Sequence, residues 1–196
     1  MFQVRIHGRG GQGVVTAAEL LSLAAFAQGR HAQAFPSFGS ERTGAPVVSF
    51  CRIDDSRIRT REPVTHPDAL IVQDATLLHQ VDVFAGLHPE GCVLINSARA
   101  VGDLGLAELF PKFRRERFLT VSATELARTY TGRPVPNAAL LGGFAALSGQ
   151  VSLDAVLSAI RDRFGETVGE KNASAATDAY RIVVDALGRE RLAPAN

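Results

Sequence analysis

The sequence contains little cysteine, no tryptophan and no excess of charge of either sign. Its two cysteines, Cys51 and Cys92, lie far apart and form no C-x-x-C pair. Four thiolates, the number that an iron–sulfur cluster or a four-cysteine zinc site needs, are therefore not available on this chain alone. The 21 basic and 20 acidic residues give a net charge of +1. This balance argues against a nucleic-acid-binding protein, since such proteins carry a clear basic excess.

Long apolar runs are also missing. No run of about 18 apolar residues is present, so we expect no membrane span. The first residues, MFQVRIHGRGGQG, lack the apolar segment of a secretion signal. Both cysteines lie in apolar runs, which predicts the buried, reduced thiols typical of a cytoplasmic protein. The 196 residues are 46% hydrophobic and 21% charged, a composition that indicates a folded globular chain.

The order of the predicted elements indicates an α/β protein. Apolar runs predict strands at residues 2–6, 31–35, 47–53, 69–73, 92–95 and 118–121, and helices at 14–28, 138–147 and 152–164. Two capping-box sequences predict further helices that begin at Ser122 and Thr167, the second ending near Leu187. We expect a Rossmann-like fold with a mostly parallel sheet, interrupted by an antiparallel hairpin over 47–61. A single domain should cover residues 1–188, with a C-terminal tail at 189–196.

A glycine-rich segment, HGRGGQG, connects the first predicted strand to the first predicted helix. Gly8, Gly10 and Gly13 have the spacing G-x-G-x-x-G, and Gly11 adds a fourth glycine. Backbone N–H groups in such a loop, together with the following helix terminus, can bind a phosphate. An ordinary NAD site also needs a carboxylate near the end of the second strand, and that stretch reads HAQAFP. The loop therefore predicts either another phosphate-bearing ligand or only close packing of strand and helix.

A second unusual segment, PSFGSERTGAP, spans residues 36–46. It contains two prolines and two glycines, and a loop of this length in a compact domain is often functional. We expect it to leave the C-terminal end of the second strand and to lie beside the glycine loop. Glu41 and Arg42 are its candidates for binding a ligand or a partner chain. The alternative is a structural loop in which these two residues pair with each other.

Other polar residues give weaker signals. His7 precedes the glycine loop, where a local structural contact is favoured over catalysis. Asp74 and Asn96 each follow an apolar strand, and Asn137 begins a predicted helix, so helix capping is favoured over ligand binding. The five histidines form no i, i+4 pair, and no convincing nucleophile–base pair is present. We therefore assign no catalytic residue and no metal site.

Several segments together resemble the gamma subunit of 2-oxoacid:acceptor oxidoreductases, the pyruvate:ferredoxin oxidoreductase family. They are HGRGGQGVVTAAELL, AQAFPSFGSERTGAPVVSFCRID, PDALIVQDATLL, PVPNAALLGGFAALSG and GEKNASAATDAYRIV. The resemblance implies a multi-subunit enzyme that converts a 2-oxoacid, CoA and an oxidised acceptor into acyl-CoA, carbon dioxide and reduced acceptor. It implies that this chain has no redox centre of its own, helps to shape the active site and contacts CoA.

The same resemblance implies the cofactors, partners and site residues. Thiamine diphosphate, magnesium and iron–sulfur clusters would lie on the partners: thiamine-binding alpha and beta subunits and a ferredoxin-like delta subunit, with an FAD- or NAD-binding subunit as an option. Carried over by motif, the binding positions are Gly8, Arg9, Gly10, Gly11, Gln12, Gly13, Phe38, Gly39, Glu41 and Arg42. Thr43 stands where the resemblance leads us to expect Arg or another polar residue more often.

Some alternatives remain open at the level of the sequence. The oxoacid could be pyruvate, a branched-chain oxoacid or an aryl oxoacid such as phenylglyoxylate, and the acceptor could be ferredoxin or NAD. A different class of function is a stand-alone NAD(P)-binding Rossmann oxidoreductase, with an arginine in place of the missing carboxylate. A third hypothesis is a purely structural bridging subunit with an empty glycine loop.

Overall fold

Six strands of the chain form one sheet in a computed structural model, which describes residues 1–37 and 43–192, with side chains to residue 189. The strands are β1 (Phe2–Arg9), β2 (His31–Pro36), β3 (Pro46–Asp54), β4 (Ala69–Val72), β5 (Cys92–Asn96) and β6 (Phe118–Val121). The helices are α1 (Val14–Ala27), α2 (Ala123–Thr131), α3 (Asn137–Ser148) and α4 (Leu153–Leu192). The predicted α/β class is confirmed.

The sheet has the strand order β2-β3-β1-β4-β5-β6. Strands β1, β4, β5 and β6 are parallel, whereas β3 runs antiparallel to both β1 and β2. Because β1 and β2 both oppose β3, they run in the same direction. The segments that follow β1 and β2 therefore leave the sheet at the same edge, as the sequence predicted.

The predicted hairpin over 47–61 is wrong, because residues 57–61 form no strand. Both edges of β3 are already occupied, one by β1 and the other by β2. The chain after β3 crosses the face of the sheet instead. At residue 62 the carbonyl of Glu62 accepts a hydrogen bond from the Arg52 guanidinium.

The two capping-box predictions locate the helix starts correctly and need correction only in detail. Helix α2 begins after Ser122 as expected, but the Ser122 side chain makes no capping hydrogen bond. Asn96 Oδ1, at the end of β5, accepts from the Thr124 amide at 3.1 Å and caps this helix from the sheet. The break in α4 at Gly165 (φ 74°) agrees with the predicted end of one helix at residue 164 and the predicted start of the next at Thr167. The second part of α4 continues past the predicted end to Leu192.

The two faces of the sheet are covered differently. Helices α1, α3 and α4 pack on one face, largely through alanine, leucine and valine side chains. Short 3-10 turns cover β4–β6 on the opposite face, where Phe84, Phe110 and Phe113 surround Phe118. Among the described residues, no helix is both long enough and apolar enough to cross a bilayer.

Helices α3 and α4 approach each other closely at Gly142. A Cβ atom there would lie 1.9 Å from the backbone oxygen of Ala176. We expect Gly142→Ala to lower the free energy of unfolding by about 1–3 kcal/mol, because the helix backbone must move to admit the methyl group. Urea unfolding of the full chain measures this change.

The matched control is Gly188→Ala in α4, where an added Cβ would meet no atom within 4 Å. This substitution should raise the unfolding free energy by up to about 1 kcal/mol, since alanine favours helix over glycine. Equal effects of the two substitutions would contradict the close approach of α3 and α4.

Candidate functional site: an anion-binding glycine loop

The glycine loop brings the start of α1 onto the end of β1. A Cβ atom at Gly8 would lie 2.6 Å from Val14 Cγ2, so a side chain there would push the helix away from the strand. Gly13 has a φ of 72°, and its Cβ would lie 2.4 Å from Asn137 Nδ2. Glycine is therefore required at Gly8 for close packing and at Gly13 for both conformation and space.

The described end of the second loop lies beside the glycine loop, as predicted. The Gly10 amide donates to the Ala45 carbonyl at 2.9 Å, and the Gly44 amide donates to the Gly10 carbonyl at 3.1 Å. Thr43 forms an isolated β-bridge with Gly10. The predicted positions Phe38, Gly39, Glu41 and Arg42 lie outside the described residues.

Arg9 connects the glycine loop to the end of β4 and to the second loop. Its Nε donates to Asp74 Oδ2 at 3.0 Å and its Nη1 to the Gly44 carbonyl at 3.1 Å. Its Nη2 donates to Thr76 Oγ1 at 2.8 Å and to Gln80 Oε1 at 2.7 Å. Because a guanidinium has five N–H donors, these contacts leave one without an acceptor among the described residues.

Gln12 and Asp74 complete this internal network. Gln12 Oε1 accepts from the Arg9 amide at 2.8 Å, and Gln12 Nε2 donates to Asp74 Oδ2 at 3.0 Å. Burial raises the pKa of Asp74, but hydrogen bonds from Thr76 and Gln12 and the charge of Arg9 outweigh it and hold the pKa below its ordinary value. Asp74 also accepts from the Thr76 amide, so it caps the following 3-10 turn, as predicted, and anchors the loop as well.

Within the described part of the chain, the backbone amides around the start of α1 remain available to bind an anion. A cavity of about 390 Å³ is lined by Arg9, Gly10, Gly11, Gly13 and residues 14–16. Helix α1 has no capping side chain and no acidic residue in its first turn. The amides of Gly11, Gly13 and residues 14–16 have no acceptor within the described part of the chain. Such a cluster, at the positive end of a helix, favours a phosphate or carboxylate group.

Sequence reasoning did not find the buried polar groups beneath this edge. Arg5 is only 8% exposed, and its guanidinium donates to the carbonyls of Val83 (2.8 Å) and Ala85 (2.7 Å) and to His7 Nε2 (3.0 Å). Gln73 is fully buried, and neither polar atom of its side chain has a partner among the described residues. The alternation in FQVRI is the available signal, since it places Arg5 on the face opposite Val4 and Ile6. It did not indicate that other segments cover it.

The position of β2 disfavours the NAD(P) hypothesis. A dinucleotide-binding Rossmann site places the end of its second strand next to the first strand, where it reaches the ribose. Here β3 separates β2 from β1. The ribose-binding residue of such a site would therefore be one strand too far from the glycine loop.

The two cysteines have the properties of core residues. Both are free and buried, Cys51 in β3 and Cys92 at the start of β5. Burial raises the pKa of the Cys51 thiol to about 12 and that of Cys92 to about 11. Over residues 1–37 and 43–189, no group of three or more His, Cys, Asp or Glu side chains is placed to hold a metal ion.

A sheet whose first strand leads through a glycine loop into a helix defines a Rossmann-like α/β protein. The family model for pyruvate ferredoxin/flavodoxin oxidoreductase matches residues 3–182. The chain therefore belongs to the pyruvate ferredoxin/flavodoxin oxidoreductase family, and within it to the gamma-subunit type.

Individual relatives agree with this assignment. The chain is 46% identical to pyruvate synthase subunit PorC of Methanocaldococcus jannaschii, over 96% of this chain and 100% of the relative. It is also 46% identical to the common gamma subunit of the pyruvate/ketoisovalerate oxidoreductases of Pyrococcus furiosus, over 92% and 96%. The crystal structure of pyruvate oxidoreductase subunit PORC from Thermotoga maritima superposes with a TM-score of 0.77 at 33% identity, over 92% and 95% of the two chains.

Histidine 7 should make the stability of the chain depend on pH. It is 5% exposed, and burial, followed by the charge of Arg5, lowers its pKa to about 3. The unfolded histidine binds a proton below about pH 6.5, whereas the folded one does not. Its contribution to stability is therefore complete above pH 6.5 and is lost progressively as the pH falls from 6.5 towards 3.

The variant His7→Gln, whose amide oxygen can still accept from Arg5, provides the comparison. Between pH 7 and pH 5 the native chain should lose about 2 kcal/mol more unfolding free energy than the variant. Urea unfolding of both full chains at the two pH values measures this difference. An equal loss in both proteins would contradict a neutral, buried His7.

Proposed function

We propose that this chain is the gamma subunit of a CoA-acylating 2-oxoacid oxidoreductase and that its glycine loop binds a phosphate group of coenzyme A. The reaction converts a 2-oxoacid, CoA and an oxidised acceptor into acyl-CoA, carbon dioxide and reduced acceptor. The CoA contact is inferred from the cluster of amides around the start of α1, which have no acceptor among residues 1–37 and 43–192. CoA is a substrate of this reaction, and its phosphates lie far from its reacting thiol.

The backbone amides, rather than arginine side chains, make most of this contact. Arg9 has committed four N–H donors to Asp74, Gly44, Thr76 and Gln80, so its role is mainly to hold the loop in place. Neutral amides that are already oriented need no reorganisation when the phosphate arrives. The chain thereby orients CoA and leaves its thiol free to reach an active site on other subunits.

In this proposal, partner chains carry out the carbanion chemistry and the electron transfer. Thiamine diphosphate supplies the carbanion chemistry, and iron–sulfur clusters carry the electrons. The chain does not fit either group. It has only two cysteines. A thiamine site usually needs a GDG…N segment, and the nearest string here, Gly102-Asp103-Leu104, places Asp103 exposed on a short 3-10 turn. We therefore assign thiamine diphosphate with magnesium to alpha and beta subunits and the clusters to a ferredoxin-like delta subunit, all in the cytoplasm.

The oxoacid specificity is also assigned to the partners. The Pyrococcus relative is named as a gamma subunit common to pyruvate and ketoisovalerate oxidoreductases. A subunit shared by two such enzymes contacts what their reactions have in common. CoA is common to both reactions, whereas the side chain of the oxoacid is not.

Thr16 allows the charge at this site to be changed with little effect on the helix. It lies in the first turn of α1 and lines the loop cavity. We expect Thr16→Glu to raise the KM for CoA at least about tenfold in the assembled enzyme, because a carboxylate there repels the phosphate. The same carboxylate is favourable at a helix N-terminus, so folding should not suffer.

The control is Thr16→Gln, which has nearly the same size and no charge. Its KM for CoA should change much less than that of Thr16→Glu, and the KM for the oxoacid should be unchanged in both. Steady-state kinetics of the reconstituted assembly measure all four values. Unaltered CoA kinetics in a fully assembled Thr16→Glu enzyme would rule out the contact.

A further inference from the structure

An open cleft lies over β1 and β3, on the face of the sheet opposite to α1. Alternate residues of β1 separate the two faces: Val4 and Ile6 belong to the core under α1, whereas the residues that follow each of them line the cleft. The cleft has a volume of about 520 Å³. Its floor consists of the buried side chains Arg5, His7, Phe50 and Val64, and its exposed rim includes Ser37, Thr65, His66 and Asp82.

His7 presents a hydrogen-bond donor of fixed tautomer to this cleft. Arg5 Nε donates to His7 Nε2 at 3.0 Å, and because a guanidinium cannot accept, the proton of the neutral ring lies on Nδ1. His7 is 5% exposed, and its Nδ1 has no hydrogen-bond partner among the described residues. A largely buried N–H group without an acceptor costs free energy, so a ligand that supplies an oxygen atom gains this contact.

The charges around the cleft favour a neutral ligand over an anion. The Arg5 guanidinium donates to the backbone carbonyls of Val83 and Ala85 at 2.8 and 2.7 Å, so its N–H groups are directed at the protein. Asp82 on the rim repels an anion, and burial together with the charge of Arg5 keeps His7 neutral. A carbonyl oxygen between apolar groups is the chemistry that fits a single neutral donor beside Phe50.

Strand β1 connects this cleft to the glycine loop. His7 and Arg9 lie two residues apart on the strand, so their side chains leave the same face of the sheet about 7 Å apart. Arg9 lines the cavity at the start of α1, and His7 lines the cleft. A ligand longer than this spacing can therefore occupy both cavities across the end of β1.

We propose that the cleft binds the pantetheine arm of CoA, with His7 Nδ1 donating to an amide carbonyl of the arm, while a phosphate of the same molecule lies at the glycine loop. This assignment rests on the proposed function. The arm carries two neutral amides among methylene and methyl groups, which match the donor of His7 and the apolar surface of Phe50 and Val64. The cleft thereby binds the part of CoA that joins its phosphates to its thiol.

The test uses pantetheine, the thiol arm of CoA without any phosphate, beside CoA itself in the assembled enzyme. The affinity for pantetheine is measured as a KM if it reacts and as an inhibition constant against CoA if it does not. Val48 lies directly opposite His7 in the pairing of β1 with β3 and lines the cleft. Val48→Phe fills part of the cleft and keeps a residue that favours strands, so we expect the affinities for CoA and for pantetheine to fall by equal factors of about tenfold or more. The matched control is Val184→Phe, the same substitution at a 43% exposed position of α4, which should change neither affinity.

Variants of His7 test the donor itself. His7→Gln keeps an acceptor for Arg5 and an N–H group for the ligand, whereas His7→Met keeps neither. We expect His7→Met to weaken CoA and pantetheine alike by about fivefold, the size of one neutral hydrogen bond, and His7→Gln to weaken them less. Equal losses in the two variants would contradict the hydrogen bond to the arm. Where His7→Met does not assemble, Val48→Phe decides.

Three results would overturn the assignment of the cleft. One is pantetheine that neither reacts nor competes with CoA, and another is a Val48→Phe enzyme with both affinities unaltered. The third is a Val48→Phe chain that does not assemble although Val184→Phe does, because the cleft then holds a segment of a partner subunit instead. Thr16→Glu separates these failures from failure of the proposed function. It acts on the phosphate, so it should raise the KM for CoA and leave the affinity for pantetheine unchanged, whatever the cleft holds.

Discussion

The pair between Arg9 and Asp74 is the interaction on which the geometry of the site depends. Asp74 accepts from Arg9, from Gln12 and from the turn that follows β4, and so fixes the glycine loop against the neighbouring strand. Arg9 extends the connection to Gly44 in the second loop. Both side chains are only partly exposed, so water screens the pair less than it would at the surface. With the polar side chains of the loop bonded to one another, the amides at the start of α1 are the groups left to receive a ligand.

This arrangement explains why a chain with few chemically reactive residues belongs to an enzyme family. Its cysteines are buried as thiols, and its histidine next to the loop is held neutral by burial and Arg5. What it offers instead is an edge of the sheet where the glycine loop places backbone amides at the positive end of α1. In the proposed assembly, that edge positions the coenzyme while thiamine-bearing and cluster-bearing partners carry out the reaction.

Local sequence patterns were sufficient for the parts of the fold that neighbouring residues determine. The glycine spacing around Gly8 and Gly13 predicted the strand–loop–helix unit, and the apolar runs predicted β4 and β5. The pairing of β3 with β1 and β2 could not be read in this way, since it depends on which edges are free after the chain has folded. The same holds for Gln12, whose place in the motif suggests ligand binding although its amide is directed inwards to Asp74. Asn137 predicted only a helix start, and its contact with Gly13 joins residues 124 positions apart.

The most direct test of the central claim is the structure of the assembled enzyme with CoA bound, determined by electron cryo-microscopy. We expect a phosphate of CoA with its oxygens about 3 Å from amide nitrogens at the start of α1, with Arg9 still bonded to Asp74. CoA bound with all its phosphates on other subunits, and the glycine loop of this chain facing solvent or packed against protein alone, would contradict it.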